Sequence, residues 1–140
     1  MKRDEASVLL DHGIKPSAQR VAVAQYVLNT DAHPSADEVW TRVREHFPCI
    51  SRATVYNTLH LFVEKRLLRQ LVLTEGRVVF DPRTDNHHHF IEDDSGTIHD
   101  VAWDAVRVSD LAKIPGLEVR EYQVVMRGKR TRKRGKRGRN

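Results

Sequence analysis

Residues 81–100 read DPRTDNHHHFIEDDSGTIHD and hold four of the chain's eight histidines. Side chains alternate faces along a strand, so His87 and His89 point one way and His88 the other. Two imidazoles on one face can chelate a single ion. Asp81, ahead of the triplet, and Asp100, on the strand that returns after a turn at Asp93 to Gly96, are the carboxylates placed to join them. Nitrogen and oxygen donors without thiolate suit Fe(II), Mn(II) or Zn(II). Cys49 is the only thiol, so neither a disulfide framework nor a four-cysteine zinc site can be built within one chain. The other reading of the same residues is a solvated polar patch.

Charge singles out the same stretch. Residues 81–126 carry 10 acidic and 4 basic side chains, residues 1–80 carry 9 and 11, and residues 127–140 carry nine Lys or Arg and no acid. The formal +5 of the 140-residue chain conceals an acidic middle. Acidic stretches attract cations and repel phosphate, which assigns cation binding to the middle and nucleic-acid contact to the two ends. The tail, 128–140, is too charged and too often interrupted by glycine to pack. It is expected to be disordered, either adding phosphate contacts or serving as a solubilising appendage. No apolar run approaches the about 18 residues of a membrane span. Residues 1–13 carry Asp4, Glu5 and Asp11 where a signal peptide would be apolar, so a cytoplasmic protein with no membrane partner is expected.

The elements that must position these groups begin with four helices. One runs from about Asp4 to His12 and stops at Gly13. Ser17 is an N-cap for a second, through Val21, Ala24, Val27 and Leu28. Ser35 and Glu38 have capping-box spacing ahead of Val39, Trp40, Val43 and Phe47, with Pro48 as the stop. The fourth starts at Ser51 and turns Val55, Leu59 and Phe62 to one face, leaving Arg52, Thr54, Tyr56, Asn57 and His60 on the other. That outer face has the hydrogen-bonding types that contact base edges and phosphates, where a plain solvated face would be richer in Glu and Lys. Strands at 68–73 and 77–81 form a hairpin around Thr74, Glu75 and Gly76. Short helices followed by a hairpin make a winged helix-turn-helix, whose last helix enters the major groove. A helical module that binds protein is the alternative.

The motifs GIKPSAQR (13–20), HPSADEVW (33–40), SRATVYNTL (51–59) and HHHF (87–90) with the downstream Asp100 resemble, in that order and spacing, the ferric uptake regulator family, including its peroxide-sensing and haem-linked iron-response branches. The resemblance covers roughly residues 5–127. It implies an α+β chain: a winged-helix DNA-binding domain at 1–80, then a small α/β metal-binding and dimerisation domain at 81–127, with a helix over about 103–113 and a strand over 117–126. By position the regulatory ligands fall on His33, Asp81, His87, His89 and Asp100, so that one Fe(II) or Mn(II), or Zn(II) in purified protein, ties the two domains together. DNA contacts fall on Lys15, toward an AT-rich minor groove, on Gln19 and Arg20 as backbone or structural contacts, and on Arg52, Thr54, Tyr56 and Asn57 of the recognition helix. The implied partner is a palindromic double-stranded operator read by a homodimer.

The sequence departs from the family pattern where most relatives hold a structural zinc in two Cys-x-x-Cys pairs. Glu92 and Ser95 occupy the first pair and the basic tail replaces the second, so no structural zinc is expected. Asn86 and Arg107 stand where an additional site would need ligands, which leaves one metal per chain. His88 is then solvated or in contact with haem, His99 faces away, and Cys49 packs near a helix start. Asp at position 100 is typical of peroxide sensors, so the expected signal is peroxide, acting through Fe(II)-mediated oxidation of His33 or His87. Iron or haem sensed through His87 to His89 is the alternative. A metallohydrolase is a different class, but no H-E-x-x-H or comparable general-base motif accompanies these ligands. Metal-independent nucleic-acid binding is the remaining option.

Overall fold

The computed structural model describes residues 4–73 and 76–131, which divide into two compact units, the first ending at Thr84 and the second beginning at Asp85. The first contains helices α1 (Glu5–Asp11), α2 (Ala18–Val27), α3 (Ala36–Val43) and α4 (Arg52–Glu64), then strands β1 (Arg69–Val72) and β2 (Val78–Asp81). Each helix opens on a side chain that accepts an otherwise orphaned backbone N–H, from Asp4, Ser17, Ser35 and Ser51 in turn. At α3 the bond is reciprocal, since the Ser35 N–H donates to Glu38 Oε1 at 2.8 Å and the Glu38 N–H to Ser35 Oγ at 3.2 Å. Gly13 follows α1 at φ 76°, the left-handed conformation that lets the chain turn back and bury Ile14.

Apolar spacing then builds one core. Val23 and Val27 of α2, Val39 of α3 and Val55, Leu59 and Phe62 of α4 are all without solvent exposure, and Phe80 of β2 belongs to the same cluster. α3 ends at Val43, five residues before Pro48. The backbone tightens beyond it, with the His46 and Phe47 N–H groups both donating to the Val43 carbonyl, so Phe47 lies outside the helix. β1 and β2 pair antiparallel from Arg69 opposite Asp81 to Val72 opposite Val78. This wing has its expected position, but Thr74 and Glu75 of its tip lie outside the described residues. Because Asp81 is the last residue of β2, it belongs to the first unit instead of opening the second at 81. Ser35→Ala should cost about 1 kcal/mol in urea unfolding, the usual worth of an N-cap.

The second unit is a three-stranded sheet of order β4-β3-β5, made of β3 (His87–Glu92), β4 (Ile98–Ala102) and β5 (Val125–Gly128). β3 pairs antiparallel with β4 and parallel with β5. The helix expected over 103–113 is replaced by two single 3-10 turns, Trp103–Ala105 and Leu111–Lys113. Val106 is extended at φ −130°, ψ 130°, and Asp110 is left-handed at φ 67°; β-branched Val106 and Val108 are also poor helix formers. The strand expected over 117–126 starts only at Val125. Upstream of it, Leu117 and Val119 are exposed, and the Val124 N–H is taken by the His88 ring instead of a backbone carbonyl. Among the described residues no helix is long and apolar enough to cross a membrane. The residues 132–140 of the basic tail lie outside the described residues.

Candidate metal centre and nucleic-acid face

The first unit supplies one imidazole and one carboxylate. His33 sits in the turn between α2 and α3 at φ 54°, uncommon for a residue with a side chain and doubly so before a proline. Strain of this kind persists only where the surroundings enforce it. Here the Pro34 carbonyl accepts the Phe80 N–H at 2.9 Å, and the Ser35 cap fixes the next residue. The loop is thereby pinned beside the end of β2, and His33 Nε2 lies 3.3 Å from Asp81 Oδ2, with both side chains almost fully buried. Asp81 Oδ1 accepts the Arg83 N–H at 2.9 Å, which leaves Oδ2 for His33.

The second unit supplies two imidazoles and one carboxylate. His87 and His89 occupy one face of β3 with ring centroids 4.6 Å apart. Asp100 is the register partner of His89 on β4, and its Oδ1 lies 3.4 Å from His87 Nε2 and 3.6 Å from His89 Nε2. His87 Nδ1 lies 2.7 Å from the Asp85 carbonyl, which can only accept, so Nδ1 carries the proton. Nε2 of that ring, the nitrogen that carries the lone pair when an imidazole binds a metal, lies on the Asp100 side. Two imidazoles, one with its outer nitrogen tied to a carbonyl, together with a carboxylate and no sulfur fit a divalent iron, manganese or zinc ion.

The other two histidines behave differently. His88 is fully buried rather than solvated. It stacks on Trp103 at 4.6 Å and accepts the Val124 N–H on Nδ1 at 3.0 Å, because the opposite face of the sheet is covered by the chain that returns to β5. His99 is paired with Glu92, whose carboxyl it holds below the ordinary value by hydrogen bonding. Ser95 joins them through Thr97 and Glu92, so polar side chains close the turn where cysteines were missed. Cys49 is exposed and does not pack as expected.

The residues expected to meet DNA form two groups in the first unit. Lys15, Gln19, Arg20, Thr54 and Asn57 line a cleft of about 470 Å³ between the start of α2 and the outer face of α4. Arg20 donates to the Lys15 carbonyl at 2.8 Å and so braces the loop. The Thr54 hydroxyl accepts from Ser51 Oγ as part of the α4 cap. Arg52 and Tyr56 converge on Asp37 Oδ1, at 3.2 and 3.1 Å, and Arg52 also lies 4.3 Å over the Trp40 ring. The bond to Asp37 raises the Tyr56 phenol above its ordinary value, keeping it a donor. Asp37 was not singled out from the sequence, because a first-turn carboxylate is ordinary helix chemistry.

The sequence profile of the ferric uptake regulator family matches residues 11–127. The peroxide operon regulator of Bacillus subtilis is 31% identical over 128 residues, covering 90% of this chain and 88% of that protein. Among solved structures, the Vibrio cholerae ferric uptake regulator superposes with a TM-score of 0.73 at 24% identity, over 90% of this chain and 99% of its own. The Campylobacter jejuni peroxide stress regulator superposes with a TM-score of 0.62 at 23% identity, over 91% and 93%.

Proposed function

Because the chain belongs to the ferric uptake regulator family, we propose that it is a metal-dependent transcriptional repressor that releases DNA in response to peroxide. The observation that carries this reading is the convergence of His87 Nε2 and His89 Nε2 on one Asp100 oxygen. His33 and Asp81 form a second, incomplete donor pair. One Fe(II) or Mn(II) taking all five side chains would join the two units and favour the arrangement that a palindromic operator selects in a homodimer. Such an ion shifts that equilibrium only by its preference for the joined arrangement. The cleft at Lys15 and the outer face of α4 are the surfaces assigned to DNA, with an AT-rich minor groove for Lys15. The nine cations at 127–140 add phosphate contact. A repressor of this kind would act on DNA in the cytoplasm.

Fe(II) held by these residues would supply the chemistry that activates hydrogen peroxide, and the ring of His33 or His87 would take up one of its oxygen atoms while the other leaves as water. Loss of one donor lowers metal affinity, and the operator is released. Protein loaded with Fe(II) or Mn(II) under exclusion of oxygen should be treated with peroxide and its peptides mapped by mass spectrometry. One added oxygen on His33 or His87 in the iron form alone, with parallel loss of operator binding, is the expected result. An unmodified iron form that still lets go of DNA would remove peroxide chemistry from the account. Haem is disfavoured as the signal, since His88 is enclosed between Trp103 and the Val124 backbone.

A further inference from the structure

The two imidazoles that face Asp100 are oriented by different devices. Behind His87 stands the carbonyl of Asp85, two residues away. Behind His89 stands a side chain from 34 residues downstream: Gln123 Oε1 lies 3.0 Å from His89 Nδ1. We infer that Gln123 is a positioning residue, holding the His89 ring as its Nδ1–H tautomer so that Nε2 is the nitrogen presented to a divalent cation. This rests on the metal-site reading above and adds a residue to it.

Gln123 can do this because the backbone beyond it is anchored. The Val124 N–H donates to His88 Nδ1 at 3.0 Å, and the Val124 carbonyl accepts the His89 N–H at 3.1 Å. His88, accepting on Nδ1, must be the Nε2–H tautomer when neutral. The triplet therefore alternates: Nδ1–H at His87, Nε2–H at His88 and Nδ1–H at His89. The central histidine clamps the segment leading to β5, and that segment delivers the amide that sets its neighbour. A carbonyl oxygen accepting from the outer nitrogen also makes the ring a better donor, and losing such a partner typically weakens a metal site by about 10–100-fold.

The test uses the full chain and Mn(II) as probe, with affinity from electron paramagnetic resonance titration. Gln123→Leu should bind at least about 10-fold more weakly, and Gln123→Glu, which keeps an acceptor, should bind as well as or better than the unaltered protein. A leucine variant with unchanged affinity, or a glutamate variant as weak as leucine, would overturn the inference. His89→Ala separates the two levels. If it binds Mn(II) normally the metal-site reading itself fails, whereas weak binding by His89→Ala beside normal binding by Gln123→Leu removes only Gln123. Should Gln123→Leu not fold, nitrogen-15 spectra of the metal-free, unaltered protein decide, since the neutral His89 ring must carry its proton on Nδ1 and an Nε2–H tautomer there contradicts the inference.

Discussion

Asp100→Ala is expected to weaken Mn(II) binding by more than about 100-fold and to abolish operator binding at metal concentrations that saturate the unaltered protein. Asp100 is the point at which β3 and β4 bring their polar chemistry together, because one of its oxygens faces both His87 and His89. Removing it deletes the negative charge that offsets a divalent cation and the oxygen that both imidazoles face. A 100-fold loss corresponds to about 2.7 kcal/mol, since each tenfold step is about 1.4 kcal/mol. The same loss has a thermal signature. A ligand that binds only the folded chain raises its melting temperature with concentration, so added Mn(II) should stabilise the unaltered protein and leave Asp100→Ala nearly unmoved. His99→Ala is the matched control: it is adjacent in sequence, but its ring is engaged with Glu92. Calorimetric titration that gave both variants the same affinity would remove Asp100 from the site.

What could be read from the sequence was what neighbouring residues decide. The caps at Ser17, Ser35 and Ser51 depend on groups three residues apart. The opposite facing of His88 from His87 and His89 is a property of any strand. Where the chain closes over long distances, local pattern was silent or misleading. His88 reads as a spare histidine until β5 is known to lie beside β3, on the edge away from β4. That placement also brings Gln123 against His89, and no periodicity in residues 117–126 encodes it. The helix that the resemblance implied over 103–113 fails for a more local cause: extended Val106 and left-handed Asp110 interrupt it. Arg52 and Tyr56 were found from their types and helix face, whereas their shared partner Asp37 depends on how α3 packs near α4.

Phe62→Ala should destabilise the first unit by about 3–5 kcal/mol, a large share of the about 5–15 kcal/mol that holds an ordinary domain together. Phe62 has no solvent exposure and, among the described residues, is the largest fully buried side chain. It lies on α4, and its carbonyl also accepts the N–H groups of Leu67 and Leu68 where the chain leaves the helix for β1. Truncation thus removes a ring from among Val55, Leu59 and the other cluster members, with rigid helices around the cavity that can close it only in part. Val72→Ala, on an exposed side chain of β1, should stay within about 0.5 kcal/mol. Urea unfolding followed by far-ultraviolet circular dichroism compares the two. Tyr56→Ala completes the argument, because it alters the outer face of the same helix without opening the core. If α4 both closes the core and presents the DNA-reading face, Phe62→Ala loses folding and operator binding together, while Tyr56→Ala loses operator binding alone. Equal stability of Phe62→Ala and Val72→Ala would mean that the four-helix core does not hold the reading helix in place.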